Sequence, residues 1–237
     1  MAEHQENISG FSRTEGTTAQ TPDAKTLLRA RGIQVSDADF EEVTARTGKA
    51  VRADRLAERF LADNDFLGLV KLLDLLKDSL VRSSSLMEKK HTIIREKLGS
   101  DEDYGLILKD GFIDMTLSHA LIEDGRLLFF DQKMIVSDIP LNYILYASAK
   151  ELFARFTSTT LIAPDTVLDY FGITAHRDVY DRLEKYICDK ASGLDPVTTD
   201  TWPAKPDSTD ILEKLLAYRG NIQNPDEMSA LDEIISD

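Results

Sequence analysis

The chain has 237 residues, 42% of them hydrophobic, which suits one ordinary domain with tails or two small ones and supplies enough apolar material for a core. A formal net charge of −14 excludes nucleic acid and anionic membrane surfaces as partners, since both require a positive footprint and no dense Lys/Arg cluster offers one. Cys188 is the single cysteine, so a disulfide framework and a cysteine-based zinc site are excluded and a cytoplasmic setting is expected.

Residues 1–22, rich in Glu, Gln, Ser, Thr and Gly, are expected to be a disordered tail, because such a composition does not offset the entropy of ordering. The start from Met1 to Glu6 shows no basic and apolar leader, and no stretch reaches bilayer length, so neither export nor membrane insertion is expected. A helical region is predicted over 23–99. It opens with Leu27 and Leu28 ahead of the breaker Gly32, and Ser36 then caps a short helix carrying Phe40 and Val43 that Gly48 ends. From Val51 to Val81 the residues Leu56, Phe60, Leu61, Leu67, Val70, Leu73, Leu76 and Leu80 recur at three- and four-residue steps, which predicts two core-facing helices broken near Asp63-Asn64-Asp65. After Ser83-Ser84-Ser85, a further amphipathic helix is predicted with Met87, His91, Ile94 and Leu98, stopped by Gly99.

The next region, 100–192, carries the residues of chemical interest. Asp124-Gly125 between two apolar runs is a strong hairpin signal, because a tight turn needs positive φ and glycine supplies it at low cost. Ala120-Leu121-Ile122 should therefore pair with Leu127 to Phe130, which makes His119 and Asp131 near neighbours. Asp114 precedes His119 by five residues, and Asp131 directly follows the hairpin. A kinase active site has this order of parts: a catalytic-loop aspartate as base, a metal-holding side chain five positions on, and a metal-binding aspartate after a hairpin. Read this way, Asp114 is the catalytic residue, His119 lies against the cofactor and Asp131 binds the metal, with magnesium and ATP as the implied cofactors. Phe112 stands where that pattern has histidine, Gln132-Lys133 stand where Phe-Gly is usual, and imidazole is a poor magnesium ligand. The plainer reading has Asp114 capping a turn, His119 on the surface and Asp131 ending a strand.

Past the hairpin, Asp138 is expected to cap a helix with Ile139-Pro140 in its first turn, burying Leu141, Ile144, Leu145, Leu152 and Phe156. Pro164-Asp165 opens another helix that Gly172 closes, and the last strong one spans 175–190. Residues 193–237 read as a loose linker with Pro196, Trp202, Pro203 and Pro206, ending in short amphipathic helices at 211–218 and 227–235.

The stretch from Phe112 to Tyr146, FIDMTLSHALIEDGRLLFFDQKMIVSDIPLNYILY, resembles a kinase-like C-terminal module found in bacterial surface-polysaccharide biosynthesis, often joined to a methyltransferase or glycosyltransferase. Asp114-Met115, Asp131-Gln132 and Ile139 to Tyr146 carry the likeness, which continues more weakly from Leu168 to Ile187. His119 replaces the family's asparagine, Lys133 its acid and Ala147 its arginine.

The resemblance implies a mainly α fold with one small β-hairpin (α+β), like the C-terminal lobe of a kinase-like fold without a recognisable N-terminal lobe. It also implies a degenerate accessory module of surface-glycan assembly that binds a glycan-modifying enzyme as its protein partner. Two alternatives stand beside it: an active phosphotransferase acting on a sugar or glycan hydroxyl, and a purely structural interaction module.

Overall fold

The fold is known from a computed structural model, which describes residues 11–13, 23–37 and 51–190. Among these residues the chain forms seven α-helices and eight strands, in the order β1 (Phe11–Arg13), α1 (Ala24–Ala30), β2 (Gln34–Val35), β3 (Val51–Arg52), α2 (Ala53–Ala62) and α3 (Phe66–Ser83). Then follow β4 (Leu86–Met87), α4 (Ile93–Leu98), β5 (Ile107–Phe112), β6 (Ala120–Glu123), β7 (Arg126–Phe129), β8 (Met134–Pro140), α5 (Leu141–Arg155), α6 (Pro164–Tyr170) and α7 (Arg177–Lys190). Short 3-10 turns cover Leu117–His119 and Thr174–His176.

The strands correct the expectation of a single small hairpin. They form two four-stranded sheets, one in the order β1-β8-β5-β4 and the other β2-β7-β6-β3. The predicted hairpin is the centre of the second sheet, with Ala120 opposite Phe129, Leu121 opposite Leu128 and Ile122 opposite Leu127. Asp124 and Gly125 at its turn have φ values of 49° and 72°, both in the left-handed region that a type I′ turn requires. The first sheet was concealed because β5 and β8 bury adjacent residues at their ends, such as Ile107-Leu108 and Ile139-Pro140, and do not alternate apolar with polar residues. Its two-residue edge strand β4 is too short to show any period.

Three further local expectations change. Asp138 caps no helix: it lies inside β8 at φ 56°, and α5 starts at Leu141 with Pro140 as its N-cap. Met87 belongs to β4, so the helix that Gly99 ends is only Ile93–Leu98, started by the Thr92 hydroxyl accepting from the Ile94 amide. Within the expected N-terminal tail, Phe11–Arg13 pairs antiparallel with β8. The expected helix at Phe40 and Val43, Trp202, and the C-terminal segments 211–218 and 227–235 lie outside the described residues.

The helical readings otherwise match, except that Leu67, expected on the core stripe, is 64% exposed and Phe156, expected to be buried by α5, lies just past its end and is half-buried. Asn64 at φ 54° breaks the chain between α2 and α3, and the Asp65 carboxylate accepts from the Gly68 amide to start α3. Leu141, Ile144, Leu145 and Leu152 of α5 are buried together in a core that runs from Ala24 to Ile187 and joins the helical region to the hairpin region. Helix α3 touches both sheets through β5 and β7, and α5 packs on α3, α6 and α7. This arrangement holds the ends of β5, β6, β7 and β8 at one place, where the candidate site lies.

Candidate functional site

Strands β5 and β8 pair from Ile107 opposite Pro140 to Phe112 opposite Ile135, and the two segments they connect cross just beyond this ladder. One segment, residues 113–119, leads from β5 into the hairpin. The other, residues 130–133, leads from the hairpin into β8. The Phe130 amide donates to the His119 carbonyl at 3.0 Å and the Ile113 amide to the Met134 carbonyl at 3.3 Å, so backbone bonds at both ends fix the crossing.

Asp114 is the centre of this junction. Its Oδ2 accepts from the backbone amides of Lys133 at 2.8 Å and Met134 at 2.7 Å. Its carbonyl accepts from Gln132 Nε2 at 2.8 Å, and the same nitrogen donates to the Phe130 carbonyl at 3.0 Å. Burial pushes the Asp114 carboxyl above the ordinary carboxylate range. The two amides and the nearby His119 ring pull it down, and the charge of Asp131 adds to the rise. The three residues singled out from the sequence therefore share one locality, close enough for both His119 and Asp131 to act on Asp114.

Asp131 occupies a left-handed backbone conformation at φ 54°, and its Oδ1 is 2.7 Å from the Lys133 ammonium. Non-glycine residues seldom adopt this region, although aspartate tolerates it better than most. His119 sits at the end of the 3-10 turn with Nδ1 at 3.3 Å from both the Thr116 and Ser118 hydroxyls. Ser118 donates to Glu151 Oε2 at 2.7 Å, which ties the loop to α5. The Leu117 amide donates to the Ser148 hydroxyl on the same helix at 3.0 Å.

Among the described residues no group of three His, Cys, Asp or Glu side chains converges as a metal site. The donors near Asp114 also do not present a magnesium–ATP site as they stand. Asp114 Oδ2 is engaged by two amides, Asp131 Oδ1 by an ammonium, and the position five after Asp114 carries an imidazole where magnesium favours oxygen. What the arrangement does chemically is hold two crossing chain segments together through a carboxylate.

Sequence reasoning gave Gln132 and Ser118 no role at this junction and did not reach Glu151. Gln132 had a signal, since it directly follows Asp131 in one of the pairs that carry the likeness, but its burial, at 3% exposed, is visible only in the structure. Glu151 had none, because its partner Ser118 is 33 residues away. Compared with protein families, with curated proteins and with solved structures, the chain matches none. No helix among the described residues is long and apolar enough to cross a membrane.

Proposed function

We propose that this protein is a degenerate, kinase-like accessory module that works in the cytoplasm in bacterial surface-polysaccharide assembly by binding a glycan-modifying partner enzyme. The motif order Asp114, hairpin, Asp131 and the likeness of residues 112–146 supply the setting. The observation that carries the non-catalytic part is the engagement of both aspartates by the protein's own groups. Asp114, the residue in the position of the base, is half-buried and accepts two backbone amides. A base must reach the proton it removes, and this carboxylate is instead directed at β8. Phosphoryl transfer further depends on metal ions that neutralise charge on the phosphates, and the metal-position aspartate faces Lys133.

Calorimetric titration of the purified protein with ATP and magnesium tests this reading. Heats equal to dilution, with no transfer of labelled phosphate to sugars, glycans or water, are expected. Saturable binding accompanied by turnover that Asp114→Asn abolishes would overturn it in favour of an active phosphotransferase.

A further inference from the structure

Strand β4 ends the first sheet, and among the described residues no further strand lies beside it. Its register against β5 sets Leu86 opposite Leu108 and Met87 opposite Ile107, and the Lys109 amide donates to the Ser85 carbonyl at 2.9 Å. Hydrogen-bonded and non-bonded pairs alternate along an antiparallel ladder. Ser85 and Met87 therefore turn their backbone groups to β5, and Leu86 turns its amide and carbonyl away from it. Among the described residues nothing meets that amide or that carbonyl. The Leu86 side chain is 48% exposed, and Leu106, two residues before Leu108, is 40% exposed. An open backbone pair beside two uncovered leucines is what an added strand takes up, main-chain bonds giving affinity and side chains giving selectivity.

The flanking charges decide what that strand is. Arg82 precedes β4, and Lys89 and Lys90 follow it, all exposed, in a chain of net charge −14. A second copy laid antiparallel on this edge would bring Arg82 of one copy towards Lys89 and Lys90 of the other, and like charges facing across a ladder are destabilising. Lys89 pairs with Asp103 at 2.5 Å and Lys90 with Glu88 at 2.8 Å, but all four side chains are more than half exposed. Such pairs contribute little, and each ammonium keeps donors for a second acceptor. We infer that the β4 edge is the surface on which the partner docks, by adding an extended segment with an apolar residue opposite Leu86 and carboxylates towards Lys89 and Lys90. This rests on the reading of the protein as a partner-binding module and gives that module its contact surface.

The test uses the full chain with a capped heptapeptide, Glu-Glu-Val-Leu-Val-Glu-Glu, and a control peptide in which lysines replace the glutamates. Calorimetry follows binding, and amide exchange follows Leu86. In the parent alone the Leu86 amide should exchange as an open amide does. The acidic peptide should bind saturably and slow that exchange, and the lysine peptide should bind at least about tenfold more weakly. Leu86→Pro removes the amide at an edge position that proline tolerates, so it should keep the melting temperature of the parent and weaken binding at least about tenfold. The double variant Lys89→Glu with Lys90→Glu, at two exposed positions, should weaken it as much, and it decides the matter should Leu86→Pro melt early. A Leu86 amide already protected in the parent alone would show that the chain covers its own edge, and would overturn the inference. So would no binding of the acidic peptide, equal binding of the two peptides, or binding that either folded variant retains. None of these outcomes involves ATP or magnesium, whose titration decides the degenerate reading separately.

Discussion

Two backbone amides, those of Lys133 and Met134, end on one oxygen of Asp114, and Met134 is buried. Removing the acceptor strands the Met134 donor, while the Lys133 amide lies at an exposed residue where water can replace the lost acceptor. Asp114→Ala is therefore expected to destabilise the protein by about 1–3 kcal/mol in urea unfolding, the cost of a buried polar group left unmade. Asp114→Asn keeps a carbonyl oxygen in place and is expected to fall within about 1 kcal/mol of the parent at neutral pH. The two variants also separate charge from geometry through pH. Burial raises the Asp114 carboxyl above its ordinary value of 3.8. The folded state therefore holds this proton more tightly than the unfolded state, and stability falls as pH rises from 3.8 through the raised value. Asp138, also raised by burial and then by Glu96, adds a slope of the same sign. Stability measured against pH should thus fall less steeply for Asp114→Asn than for the parent, with the Asp138 slope remaining. Identical profiles would show that Asp114 carries no such burden.

At the scale of elements, the hairpin and the long helices were legible because each is specified by a local signal. The Asp124-Gly125 pair fixes a turn, and the leucine stripes fix a helical face. The first sheet had no such signal. Strand β8 contains Asp138 in a left-handed conformation and ends on Pro140, a combination that reads as a helix start when taken alone. Its pairing with β5 depends on Gly111, where a Cβ would lie 2.0 Å from Ile139 Cγ2, so that only glycine lets the two strands close. Gly111→Ala is expected to cost about 1–3 kcal/mol, as overpacking does. Leu145→Ala on buried α5 should cost about 2–5 kcal/mol, the range for a core truncation. Thermal or urea melts of both variants check this, and a Leu145→Ala protein as stable as the parent would place that face of α5 outside the core.

For the whole molecule, the interactions that join distant segments were the ones no local pattern announced. Lys150 on α5 is 2% exposed, and its ammonium contacts Asp181 at 2.8 Å and Glu184 at 2.5 Å on α7, while the Tyr146 hydroxyl donates to Asp181 at 2.6 Å. These partners are 31 and 34 residues away, and only the packing of α5 on α7 brings them together. Burial alone would lower the lysine's pKa, but the hydrogen bonds and charges of Asp181 and Glu184 raise it above 10.5. Its stabilising contribution is therefore complete below 10.5 and is lost as pH rises through the folded value. Lys150→Met leaves two carboxylates facing each other without a cation and is expected to cost about 3–5 kcal/mol at neutral pH. The candidate site was legible for the opposite reason: Asp114, His119, Asp131 and Lys133 lie within one short stretch, and a single hairpin folds them together. Their chemistry was not, since the sequence does not show that the carboxylate of Asp114 turns inward to backbone amides.

That inward turn is the claim on which the non-catalytic account depends, and amide hydrogen exchange at Met134 tests it most directly. In the parent, the Met134 amide should exchange slowly, with protection close to that of the β5–β8 ladder. In Asp114→Ala its protection should drop by more than the global loss of stability explains, while the amides of Val136 and Ile144 fall only by the global amount. An unchanged difference between Met134 and those two amides would mean that Asp114 does not hold β8, and would return its carboxylate to the role of a base.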